Sequence, residues 1–314
     1  MKIMFTFPGQ GAQSAGMLHA LPDDALTMAL LQQASEALDE DILLLDTPQA
    51  LASTRAVQLC LLICGVSWAR RLQQQGVVAD FICGMSIGAF PAAVISGALS
   101  FADALRLVAL RGELMQQAYP QGFGLAAISG LRRLQVEGLI KQVNSPQLPV
   151  YLANINADTQ IVIAGSERAM QQVIDLAHEQ GAQKAQHLAV SVPSHCPLLD
   201  EPAEQLAQAF KQVELQSPTC GYLSGTTGRV YWQPQQISND LAFNMARTLN
   251  WHDAMIAAYQ RGVRLAIEMP PGAVLTGLTR PVMEQGEALS LSQTSVDVAR
   301  TLAQRVTAGV ESYQ

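Results

Sequence analysis

Apolar residues in this chain occur in two rhythms: short unbroken runs, and longer stripes at helical spacing. Ile3 to Phe7 is a short run ending at Pro8-Gly9-Gln10-Gly11-Ala12-Gln13, which predicts a buried strand and a turn. Helical patterns follow over about 24–39 and 48–75. Val77 to Cys83 predicts a second buried strand, and the small apolar residues after it predict a helix over about 87–96. Ser100-Phe101-Ala102-Asp103 has the form of a capping box and opens a helix to about Gln117.

The pattern then changes. Gly124–Ser129 reads as a strand, Arg132–Val143 as a helix, and Pro149–Ile155 and Gln160–Ala164 as two strands around a polar Asn156-Ala157-Asp158 turn. Glu167–Gln180 reads as a helix and Lys184–Leu188 as a strand, completing a β-α-β-β-α-β order of the ferredoxin-like kind. This predicts a small ferredoxin-like subdomain, 123–189, inserted into a larger α/β domain built from 1–122 and 190–314. The larger domain resumes with a helix over about 197–212, a strand near 219–224, helical patterns over about 238–260 and a strand at Arg264–Met269. Pro270-Pro271-Gly272 then leads into a short helix, and 293–310 reads as a last one.

Composition narrows the function classes. With 314 residues and 49% hydrophobic content the chain can bury a large core. A net charge of −7 argues against non-specific nucleic-acid binding but leaves room for an anionic substrate held by a few cations. The longest apolar run, Leu59–Ala69, is too short to span a bilayer, and Met1–Phe7 reaches Pro8 before a signal core forms. The five cysteines lack Cys-x-x-Cys spacing. A cytoplasmic, reduced, metal-free protein is expected, acting on neither membrane nor nucleic acid.

Gly84-Met85-Ser86-Ile87-Gly88 carries the chemistry. Strand, Gly-x-Ser-x-Gly and helix is the context of a nucleophile elbow, which lifts the serine above the strand end. Ser86 is then the candidate nucleophile, set where helix N–H groups stabilise an oxyanion. Of the five histidines, His195 stands in a proline-bracketed loop, Ser191-Val192-Pro193-Ser194-His195-Cys196-Pro197, and is the candidate base. Arg111 falls on the apolar stripe of Ala104, Leu107, Val108, Leu114 and Met115. Periodicity favours pairing with a buried acid or snorkelling to solvent, and leaves open a clamp on a substrate carboxylate. Gln10 is either part of a tight turn or, with Ile87, a source of oxyanion-hole N–H groups.

These elements together resemble the malonyl-CoA:acyl carrier protein transacylases. The match takes in Phe7–Gln13, the elbow, Arg111 at the family's spacing from the serine, Asn154-Ile155-Asn156, Ile161–Gly165, Val192–Cys196, and Pro271-Gly272 with Val274–Leu278. The resemblance implies malonyl transfer from malonyl-CoA to a carrier-protein thiol through a malonyl-Ser86 intermediate, with no permanently bound cofactor. It gives His195 the role of base and then acid, Arg111 the malonate carboxylate, and Gln10 and Ile87 the oxyanion. It assigns the backbone carbonyl of Asn250, just before Trp251, to orienting His195. Lys184 and Arg280 are the cations it suggests for coenzyme A or carrier contacts. Met85, Ala89 and Pro270 depart from the family's usual residues.

Gly-Met-Ser-Ile-Gly-Ala-Phe looks most like the transacylase (epsilon) subunit of bacterial malonate decarboxylase, whose carrier bears a phosphoribosyl-dephospho-CoA arm. Priming of that carrier is therefore the expectation, with the transacylase of fatty-acid or polyketide synthesis as the alternative. A serine (thio)esterase or a non-catalytic docking subunit are the readings from other classes. A hydrolase would place an acid between Ser86 and His195, where Asp158 and Asp175 fall in the inserted segment.

Overall fold

The structure, a computed structural model, describes residues 1–309, so the last residue of the predicted 293–310 helix lies outside the described residues. Ten strands are found there: β1 (Lys2–Phe7), β2 (Phe81–Gly84), β3 (Phe123–Ser129), β4 (Val150–Ala157), β5 (Gln160–Ser166), β6 (Lys184–His187), β7 (Gly221–Leu223), β8 (Val230–Tyr231), β9 (Val263–Glu268) and β10 (Glu287–Ser290). They form a six-stranded sheet in the order β10-β9-β1-β2-β7-β8 and a four-stranded sheet in the order β4-β5-β3-β6. The large sheet is parallel except for β8, and the small one is antiparallel throughout. The larger part is thus an α/β hydrolase-like layer structure, and the small sheet with its two helices is ferredoxin-like.

Both faces of the large sheet are covered, which is why its strands read as unbroken apolar runs. Ile3, Phe5, Phe7 and Ile82 face the helices Thr54–Gln74, Ala89–Ile95 and Phe101–Ala118. Met4, Phe81 and Cys83 face the helices Trp251–Gln260 and Val274–Thr279. The small sheet packs one face on the helices Arg133–Val143 and Glu167–Glu179. Leu125, Ala153, Val162 and Ala164 on its other face enclose Cys196, beside His195. No helix among the described residues is long and apolar enough to cross a membrane.

The helical patterns over 238–260 belong to two helices, Pro234–Phe243 and Trp251–Gln260. Between them a single 3-10 turn, Asn244–Ala246, leads into an extended stretch. Leu249 there accepts from Ile155 N–H at 2.8 Å and donates to Ala153 O at 2.8 Å, so pairing with β4 overrides local helix propensity. β8 and β10 are short and carry little periodicity of their own, which hid them in the sequence.

The helices Thr54–Gln74 and Phe101–Ala118 approach closely at Gly112. A Cβ there would lie 2.5 Å from Arg55 Cα. That contact brings Gln58 of one helix against Arg111 of the other. Gly112→Ala should therefore destabilise the fold by about 1–3 kcal/mol. Urea denaturation tests this; an unchanged midpoint would mean that the close approach is not needed.

Candidate active site

Two glycines make the turn around Ser86. A Cβ on Gly84 would stand 2.0 Å from Gly88 C, and one on Gly88 would stand 2.1 Å from Phe7 O. No side chain fits at either position, so the chain can fold back on itself only with glycine there. Met85 N–H donates to Phe7 O at 3.0 Å, fastening the elbow to the end of β1. Ser86 itself sits at φ 56°, a region that non-glycine residues rarely occupy. It opens the 3-10 turn Ser86–Gly88, which runs into the helix Ala89–Ile95. A Cβ on Gly9 would lie 3.6 Å from Ser86 Cβ, so the Gly9-Gln10-Gly11 loop lies directly against the serine.

Arg111 is completely buried, and its helix aims the guanidinium at Ser86. Nη2 donates to Ser86 Oγ at 3.2 Å and to Asn244 Oδ1 at 3.0 Å, while Nη1 donates to Gln58 Oε1 at 2.7 Å. The Phe90 ring lies 5.9 Å from the guanidinium carbon. Among the described residues no carboxylate pairs with it, and its Nε is buried with no partner. Burial pushes its pKa down to about 9, which leaves it charged at neutral pH. Neither of the ordinary outcomes for an arginine on an apolar stripe, a buried acid partner or escape to solvent, has been taken.

His195 is also buried and also carries a positive φ, 64°. Its N–H donates to Met245 O at 2.6 Å, and its Nδ1 lies 2.7 Å from Asn244 O. A carbonyl only accepts, so Nδ1 bears the hydrogen and Nε2 keeps its lone pair. Burial, opposed by that hydrogen bond and assisted by the charge of Arg111, brings the imidazole down to about 3. No hydrogen bond joins Ser86 Oγ to His195 among the described residues. Both instead touch Asn244, whose Nδ2 donates to Ser86 O at 3.2 Å.

Asn250 does not orient the histidine. Its Nδ2 donates to Thr226 O at 2.6 Å and its N–H to Gly225 O at 2.8 Å. The carbonyl on Nδ1 belongs to Asn244, in the turn between the two helices and seven residues before Trp251, not to the residue before the tryptophan that the resemblance assigned. The backbone N–H of Asn244 donates to the backbone carbonyl of Asp240 on the preceding helix, whose side-chain carboxylate is buried. That buried carboxylate accepts from Tyr222 Oη at 2.8 Å, Ser224 Oγ at 2.7 Å and Thr226 Oγ1 at 2.5 Å.

The other expected residues divide. Gln10 and Ile87 border Ser86 by position in the chain and by the Gly9 approach. Lys184 is exposed on the edge strand β6, and Arg280 is exposed with its Nη2 donating to Ala288 O at 3.2 Å. Neither bonds to Ser86, Arg111 or His195. Asp158 and Asp175 are engaged with Arg132 and Gln171, away from His195, so neither completes a hydrolase triad in this structure. Gln58 and Asn244 were not expected. Gln58 had a signal: it is a lone polar residue heading the apolar run Leu59–Ala69 of a buried helix. No cluster of three or more His, Cys, Asp or Glu able to hold a metal occurs among the described residues.

The sequence model of the acyl transferase domain family matches residues 4–306. The malonyl CoA-acyl carrier protein transacylase of Haemophilus influenzae is 34% identical over 300 residues, covering 93% of this chain and 95% of that one. The Escherichia coli K12 protein of the same name is 33% identical over 304 residues, covering 94% and 97%. The crystal structure of FabD from Acinetobacter baumannii superposes with a TM-score of 0.91 at 34% identity, covering 96% and 98%. A malonyl-transacylase solved in complex with its type II PKS acyl-carrier protein gives 0.90 at 31%, covering 97% and 100%.

These relatives overturn the expectation of a malonate decarboxylase subunit and of the priming of its carrier. That expectation rested on Met85, Ala89 and Phe90. In the structure Ala89 and Phe90 are buried in the main core and Met85 packs on the core behind the elbow. The variant residues therefore report packing around the turn, not the identity of a carrier. Fold, site geometry and full-length similarity agree: the chain belongs to the acyl transferase domain family, among the malonyl CoA-acyl carrier protein transacylases.

Proposed function

We propose that the protein transfers malonyl groups from malonyl-CoA to the thiol of an acyl carrier protein of fatty-acid or polyketide synthesis. The observation that carries this reading is the buried charge of Arg111, which pairs with no carboxylate among the described residues and lies one hydrogen bond from Ser86 Oγ. A malonyl ester on Oγ places its carboxylate three bonds away, within reach of that guanidinium. Esterification also weakens Oγ as an acceptor and frees the Nη2 hydrogen for the incoming anion. The names of the relatives support the same donor and acceptor.

In the first half-reaction Ser86 Oγ attacks the thioester carbonyl carbon as His195 Nε2 takes its proton. The negative charge on the carbonyl oxygen falls to the Ile87 and Gln10 N–H groups. The C–S bond then breaks, and coenzyme A leaves with the proton from His195. In the second half the carrier's phosphopantetheine-type thiol gives a proton to His195 and attacks the ester. The C–O bond breaks and Ser86 recovers its hydrogen. Asn244 O supports the transient imidazolium throughout, which explains why no triad acid is needed. We place this reaction in the cytoplasm, and we divide the chain as 1–122 with 190–314 around an insertion at 123–189.

Two experiments test this. Intact-protein mass spectrometry after mixing with malonyl-CoA should show a malonyl adduct that is absent in Ser86→Ala. In Arg111→Ala the malonyl adduct should form at least about a hundredfold more slowly, since a charge-assisted clamp is removed from a desolvated site. A malonyl adduct undiminished in Arg111→Ala would remove the carboxylate role.

The second is a pH profile of adduct formation. His195 is held below the ordinary histidine value of 6.5, so it stays an unprotonated base as the medium becomes acidic. The rate should be flat from about pH 8 to about pH 5, with no loss centred near 6.5. Between 6.5 and about 3 the unfolded chain binds the proton that the folded chain refuses, so acidification should lower stability in that window. A half-maximal rate near 6.5 would show an imidazole in contact with water.

A further inference from the structure

We propose that Gln58 and Asn244 are the positioning residues that make this site select a carboxylate-bearing acyl group, by holding Arg111 with neutral amides instead of acids. The inference rests on the malonyl-transfer reading and adds how the charge of Arg111 is kept available. A guanidinium in the interior ordinarily has an acid beside it, because an unpaired buried charge is costly. Such an acid would fix the side chain and neutralise it at once. Here the two functions are separated: Gln58 Oε1 at 2.7 Å and Asn244 Oδ1 at 3.0 Å orient the planar fork, and the full positive charge remains.

Both amides are forced into their orientations. Arg111 only donates, so each must turn its oxygen to the guanidinium. The opposite ends then have to donate, and both find acceptors. Gln58 Nε2 lies 3.4 Å from Met115 Sδ, and Asn244 Nδ2 lies 3.2 Å from Ser86 O. Gln58 and Asn244 are themselves buried, so water cannot replace either contact. An acid in place of either amide keeps the shape but supplies an internal anion. At 58 it meets only a thioether on its far side, which makes Gln58→Glu the cleaner substitution. At 244 it turns a second oxygen toward the Ser86 carbonyl. The Asn244 carbonyl that holds His195 belongs to the backbone and survives either change.

The test compares two reagents on Ser86 in wild type, Gln58→Glu and Asn244→Asp. Malonyl-CoA needs the charge of Arg111. A neutral alkyl fluorophosphonate, whose phosphorus takes Oγ and expels fluoride, needs only the serine and its base. In Gln58→Glu the malonyl labelling rate should fall at least about tenfold further than the fluorophosphonate rate, through a raised KM for malonyl-CoA, because the clamp is already occupied. Its melting temperature should not fall, since the buried cation gains a partner. Asn244→Asp should shift the ratio the same way and serves if Gln58→Glu does not fold. Equal loss of both reagents would make these residues merely structural and overturn the inference, as would an unchanged ratio. Wild type that takes the fluorophosphonate but not malonyl-CoA would instead overturn the malonyl reading itself.

Discussion

A full positive charge lies in the interior of this protein, and among the described residues no carboxylate stands against it. Arg111 is buried, its charge survives at neutral pH, and its hydrogen-bond partners are two amides and a serine hydroxyl. Much of the surrounding structure follows from keeping that charge in place. The close helix contact at Gly112 brings Gln58 to Nη1. The break between the helices at 243 and 251 brings Asn244 to Nη2. A buried cation left without an acid favours an anion beside it, and Ser86 Oγ lies 3.2 Å from its Nη2.

The second constraint is backbone strain. Ser86 and His195 both adopt positive φ, which side chains resist, and both are over-determined by neighbours. The elbow is fixed by the close approaches at Gly84 and Gly88 and by the Met85 bond to β1. The histidine loop is fixed by Met245 O, by Asn244 O and by the small sheet enclosing Cys196. The inserted sheet therefore bears on the chemistry through packing, and β4 extends this by pairing with Leu249 just beyond the Asn244 turn.

Residues whose chemistry shows in local pattern were legible in the sequence. Ser86 sits in a strand-turn-helix signature, His195 between prolines, and Arg111 on a stripe where an arginine is out of place. The doubly covered sheet announced itself as unbroken apolar runs, and the βαββαβ order as a switch of period. What stayed hidden depends on contacts between distant segments. Asn244 matters through a carbonyl, which every residue has, and through a helix break imposed by β4. The family resemblance had assigned Asn250, six residues further along. Gln58 required knowing which helix faces Arg111. Met85, Ala89 and Phe90 misled because packing variation around the elbow was read as a statement about the carrier.

Diffraction from crystals soaked with malonyl-CoA tests the central claim most directly. The predicted result is an ester on Ser86 Oγ with its free carboxylate hydrogen-bonded to Arg111, while Gln58 Oε1 stays on Nη1 and Asn244 O on His195. An ester whose carboxylate turns to solvent, or an acyl group on any other residue, would contradict the account.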